Sequence, residues 1–110
     1  MSDPERLIRD WGTIAPLHPW VIVELEPADG VTIQRIQTWP MERRGKGLAD
    51  AALICLGWLG DVHGVALAAI PMPFTHWEED RLRLCRWFAR HGFVGDVRQP
   101  MDLWIRAPKR

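Results

Sequence analysis

The spacing of apolar and polar positions changes several times along the chain, and each change marks an element. Trp20 to Glu26 holds Val21, Ile22, Val23 and Leu25, and its second half alternates with Glu24 and Glu26, which predicts a strand with one wet face. Pro27-Ala28-Asp29-Gly30 is turn chemistry, and Asp-Gly is a strong hairpin signal, so Val31 to Trp39 is expected to return antiparallel. Along that run Val31, Ile33 and Arg35 share one face before the alternation shifts at Ile36, which predicts a bulge. Pro40 has no N–H for the ladder and stops the strand. A bulge or an early stop at this point would part the strand from its neighbour and open a slot.

The period then lengthens. From Gly47 to Leu59 the residues Leu48, Ala52, Cys55, Leu56 and Leu59 follow a helical spacing, while Ala51, Leu53, Ile54 and Trp58 make the other sides apolar too. A helix apolar all round is expected to be buried on most of its surface, here against a sheet and under other elements. Val65 to Ile70 is a continuous apolar run of strand length, which suits a strand covered on both faces and parallel to its predecessor, with the helix as crossover. Pro71-Met72-Pro73 ends it, at the kind of carboxyl end where α/β sheets open to ligands.

Thr75 is a candidate cap with Glu78 at capping-box spacing, and the helix it opens carries Leu82, Cys85, Phe88 and Ala89 inward with Arg81, Arg83, Arg86 and Arg90 largely outward. Gly92 should end it. Phe93-Val94 and Met101 to Arg106 read as two final strands. At the other end of the chain, Pro4 to Trp11 predicts a short helix stopped by Gly12, and Pro16 and Pro19 keep the following segment extended.

Length adds that the 110 residues make one domain with a real core, residues 20–107, behind an N-terminal segment of residues 1–19. Fourteen basic and fourteen acidic side chains cancel, so no overall field favours nucleic acid or an anionic membrane. No run reaches the roughly 18 apolar residues of a membrane span, and the opening Met1-Ser2-Asp3-Pro4-Glu5 is not a signal peptide, so the cytoplasm is the expected location. Cys55 and Cys85 sit among apolar neighbours as packing thiols, and the histidines at 18, 63, 76 and 91 have no metal-ligand spacing, so no metal is expected. Trp11, Trp20, Trp77 and Trp104 are core anchors or interface residues, and a homodimer is compatible with so small a chain.

Candidate chemistry centres on Arg44-Gly45-Lys46-Gly47-Leu48-Ala49. A strand, a turn of little side-chain bulk and a helix start leave backbone N–H groups unpaired, the helix dipole adds positive character, and Arg44 and Lys46 add whole charges. Glycine lets a ligand oxygen approach the backbone. The third glycine of a dinucleotide fingerprint would fall on Asp50, and no Lys followed by Ser or Thr completes a P-loop.

What remains, Arg-x-x-Gly-x-Ala, resembles the Arg/Gln-x-x-Gly-x-Gly/Ala signature of the GNAT superfamily of N-acetyltransferases. The order of the flanking parts, from Val21 to Ala107, resembles that family as well. The resemblance implies an α/β (α+β) fold: a mixed sheet, mostly antiparallel with a central parallel splayed pair, flanked by helices. It implies acetyl-CoA as cosubstrate, with the pyrophosphate on Arg44, Gly45, Lys46, Gly47, Leu48 and Ala49 and the pantetheine and carbonyl along Thr38 and Trp39. The reaction would be transfer of an acetyl group to an amine by direct attack.

The family often places a basic Glu on the strand before the turn, but this strand offers Gln34 and Gln37, so Glu24 and Glu26 on the preceding strand are the substitute bases. Many members carry an acidic Tyr where this chain has Phe88, and the chain has no Tyr at all; Cys85, His76 or water would then protonate the thiolate. Two alternatives stay open: a module that binds CoA without turnover, suggested by the missing Tyr, and an interaction protein of the same fold, suggested by the seven Trp.

Overall fold

The computed structural model describes residues 1–73 and 78–109. They form an α+β domain: helix α1 (Asp3–Ile14), strands β1 (Val21–Pro27) and β2 (Val31–Thr38), helix α2 (Leu48–His63), strand β3 (Leu67–Ala69), helix α3 (Glu78–Arg90) and strand β4 (Trp104–Arg106). The four strands make one mixed sheet in the order β1-β2-β3-β4, antiparallel at both outer pairs and parallel at β2-β3. The parallel pair follows from α2, which carries the chain back to the same end of the sheet.

The β1-β2 hairpin turns at Asp29-Gly30 as its sequence predicts. Its register then slips by one residue, because Glu24 faces Arg35 while Leu25 faces Ile33, leaving Gln34 unpaired as the extra residue of a bulge. The extra residue lies two positions before Ile36, where the alternation was expected to shift. Val31, Ile33 and Ile36 turn toward the core, and Arg35 turns away from it to reach Glu24 at 3.3 Å and Gln37 at 3.1 Å. Alternation alone would have kept Arg35 with Ile33; burying a guanidinium beside Leu25 and Val23 is the costlier arrangement.

Leu7, Trp11, Val31, Ile33, Leu53, Leu56, Leu67, Phe88, Phe93 and Trp104 belong to one buried core between the helices and this face of the sheet. Helix α1 begins with a full capping box, in which Ser2 Oγ accepts the Glu5 N–H and the Glu5 carboxylate accepts the Ser2 N–H, both at 3.3 Å. It passes through Gly12 to Ile14 rather than stopping there. A mid-helix glycine costs only about 1 kcal/mol, and Trp11 and Ile14, packed on the core, outweigh it.

Further expectations are corrected. Val65–Ile70 contributes only Leu67–Ala69 to the sheet, and the two final strands reduce to β4 and a single Val94–Ile105 bridge. On α3, Arg81 lies mostly buried, donating to Glu78 and, at 2.7 Å, to the Val97 carbonyl, while Ala89 is exposed and Leu84 and Trp87 pack inward instead. On α2, Ala51, Ile54, Trp58 and Val62 face outward, so the helix is covered on the sheet side and flanks only. Trp11 and Trp104 are core residues, whereas Trp20 is exposed and stacked beneath the Arg43 guanidinium, 4.0 Å from the ring centre. Thr75 and Trp77 fall outside the described residues.

The last strand is clamped to α2. Arg106, only 8% exposed at its side chain, places its guanidinium against Gly57 and Gly60 and donates to both carboxylate oxygens of Asp61 at 2.9 and 3.1 Å. The Lys109 N–H adds a third bond to Asp61 at 2.7 Å. These bonds, the Arg106 pair first, hold the Asp61 carboxyl below the ordinary aspartate range. No helix among the described residues is long and apolar enough to cross a membrane.

Candidate functional site

The pairing of β2 with β3 stops at Ile33–Ala69, immediately before the bulge. Beyond that point β2 runs on to Thr38 with no strand paired to it on that side among the described residues, while β3 gives way to Ile70 and the Pro71-Met72-Pro73 stop. The strands part, and a groove of about 1500 Å³ lies along the gap. Residues of both faces of β2 line it, Thr32 and Gln37 from one and Ile33, Ile36 and Thr38 from the other, because the unpaired side of the strand faces the gap. The far wall is α3, through Asp80, Arg83, Leu84, Arg86, Trp87 and Arg90.

The turn before α2 stands on the groove. Arg44, Gly45, Gly47, Leu48 and Ala49 all line it. Gly45 and Gly47 have φ values of 81° and 73°, in the left-handed region that favours glycine, and no atom lies within 4 Å of where a Cβ would be at either. Ala51 is the first residue to close a helical bond, to the Gly47 carbonyl at 3.1 Å, and Gly47 gives no side-chain cap. Among the described residues, no protein acceptor takes the N–H groups of Leu48, Ala49 and Asp50. Unpaired amides at a helix start, beside a groove wall bearing several guanidinium groups, are an arrangement that can accept an anion.

Asp50 belongs to the same first turn and fixes the geometry of the far wall. Its Oδ1 accepts from Trp87 Nε1 and lies 2.9 Å from His91 Nε2, so the two helices are tied at the mouth of the groove. The His91 bond first, and the Trp87 bond next, lower the Asp50 carboxyl below its ordinary range. Its charge is thereby turned toward α3.

The expected site residues divide. Thr38, Arg44, Gly45, Gly47, Leu48 and Ala49 line the groove; Trp39 and Lys46 do not. The Trp39 N–H is already given to the Trp20 carbonyl at 2.8 Å, which extends the hairpin. Of the two carboxylates, Glu24 lines the groove beside Arg35, whereas Glu26 is exposed and takes the Gln34 amide. Phe88 is 3% exposed and packs edge-on to Phe93 at 5.1 Å in the core, away from the groove lining. Cys85 is buried too, outside the groove lining, and burial pushes its thiol up. His76 lies outside the described residues.

Arg83, Arg86 and Arg90 are the lining residues that pattern reading passed over. Their i, i+3, i+7 spacing is the available signal, since it sets all three on one helix stripe. Arg83 is 3.7 Å from Asp80, and among the described residues Arg86 and Arg90 have no carboxylate within ion-pair distance. No three His, Cys, Asp or Glu side chains among the described residues are grouped to hold a metal ion. No family model, curated protein or solved structure matches the chain.

Proposed function

We propose that the chain binds acetyl-CoA, with the diphosphate on the amides of Gly47 to Asp50 and the pantetheine arm in the gap between β2 and β3, and that it transfers the acetyl group to an amine. The supporting observation is the set of uncommitted amides at the start of α2, opening on a groove that the sheet itself creates. The turn's likeness to the GNAT signature gives the ligand its identity. Volume agrees, because the groove exceeds the few hundred to one thousand Å³ of ordinary ligand clefts and has room for an extended cofactor and an acceptor together.

The amine nitrogen would attack the thioester carbonyl carbon, the carbon–sulfur bond would break, and the amine would lose a proton while the thiolate gains one. Glu24, on the groove and 3.3 Å from Arg35, would take the first proton. The groove lining contains no Tyr, Cys or His among the described residues, which leaves water, or His76 outside those residues, to protonate the thiolate. That absence, with Phe88 in the core, also favours a second reading: a CoA-binding module without turnover.

Calorimetric titration with acetyl-CoA tests the binding, and release of free thiol across a panel of amines separates the two readings. Gly47→Glu puts a carboxylate into the anion seat at a backbone angle that side chains rarely adopt. It should lower acetyl-CoA affinity at least about 100-fold, roughly the loss of 3 kcal/mol. Unchanged affinity would place the diphosphate elsewhere.

A further inference from the structure

Helix α2 has no polar outer face. Its charged or ionisable residues Asp50, Asp61 and His63 are all engaged within the chain, with Trp87 and His91, with Arg106 and Lys109, and with Asp10 at 2.8 Å. The same bonds show what flanks the helix: α1 on one side, α3 and the C-terminal segment on the other. Between those flanks the outward residues are Ala51, Ile54, Trp58 and Val62, with the last three 61%, 60% and 58% exposed. A surface helix normally turns charges to water along this line; this one turns a tryptophan between two β-branched side chains.

We infer that this stripe is the two-fold interface of a homodimer, in which the α2 helices of two copies pack antiparallel across Trp58. The stripe fits its own copy. Ile54 and Val62 stand four residues to either side of Trp58, so a two-fold axis at Trp58 sets each Ile54 against the partner copy's β-branched residue and Trp58 against its equivalent. It carries no charge, so like never faces like, and the formal net charge of zero adds no repulsion between copies. Ala51 and half-buried Cys55 let the helices approach. The three large side chains expose on the order of 400 Å², a patch of the size that is commonly functional and about half of what a standard interface buries on each partner. An area of this size belongs to weak, reversible association, with the polar outer rows of the flanking elements as rim.

The interface goes beyond the acyl-transfer reading and does not rest on it. In the antiparallel arrangement the two α2 N-termini lie at opposite ends, which leaves both grooves open.

Sedimentation over about 1 to 200 μM should show a monomer passing to a dimer, and Trp58→Glu should raise the dissociation constant about thirtyfold or more. Since Trp58 is exposed, the variant should keep the circular-dichroism spectrum and melting temperature of a folded monomer. Register is tested by mixing two chains, Ile54→Cys and Val62→Cys, each also bearing Cys55→Ser. Under mild oxidation the mixture should form a disulfide between unlike chains well in excess of any between like chains. A monomer throughout the range, a dimer that survives Trp58→Glu, or equal cross-linking within and between the two chains would each overturn the proposal. Recovery of the monomer on lipid vesicles in place of dimers would do the same.

Discussion

At the residue scale, Asp61 and Arg106 show how one buried charge organises its surroundings. The guanidinium is out of water and is tolerated because Asp61 meets it with two bonds and three glycine positions, Gly57, Gly60 and Gly92, leave it room. Asp61→Asn leaves that charge without its anion and should cost about 2 kcal/mol, between the fractional value of exposed pairs and the 3–5 kcal/mol of fully buried ones. Chemical denaturation checks this. The folded-state carboxyl is depressed, so its contribution is complete above the ordinary aspartate value and is lost as pH falls through and below about pH 4. A stability profile from pH 7 to pH 3 should therefore fall less steeply in Asp61→Asn than in the native chain. Nothing in the sequence marks this pair, because Asp61 and Arg106 are separated by 45 positions and only the fold brings them together.

At the element scale, α2 is the clearest case of a pattern read correctly in kind and incompletely in placement. Its period, its glycine-rich start and its role as crossover were all legible, because they depend on local spacing. Which side stays uncovered was not, since that depends on how far α1 and α3 reach around it. The glycines within it carry a testable consequence. Alanine is worth about 1 kcal/mol over glycine in a helix interior, yet a Cβ at Gly60 would stand 2.9 Å from the Val65 carbonyl oxygen, which is backbone and held by the turn after the helix. At Gly57 the nearest atoms would be those of the Arg106 guanidinium, at 3.1 Å. Gly60→Ala should thus destabilise by about 1–3 kcal/mol, and Gly57→Ala by less, as thermal melts of the two variants will show. Likewise the bulge was legible as a break in alternation, but the arginine wall of α3 was not, because a basic helix stripe looks alike whether it faces water or a cleft.

On the scale of the whole molecule, a chain whose acidic and basic side chains are equal in number has little electrostatic reason to stay apart from its copies. With a sequence isoelectric point near 6.9, self-association should be strongest around neutral pH and weaken toward both pH 5 and pH 9. Light scattering across that range measures it, and Trp58→Glu should flatten the profile.

The extra residue of β2 has one more implication. Take out Gln34, and the run Val31-Thr32-Ile33 joins directly to Arg35-Ile36-Gln37-Thr38, with in-and-out order uninterrupted from end to end. A chain one residue shorter would thus keep every hydrophobic contact of the strand while losing the bend that steers it off its parallel neighbour. We expect such a deletion to melt no lower than its parent and to bind acetyl-CoA poorly, if at all. The capacity for a ligand would then be an increment of length one, laid over a framework that does not need it.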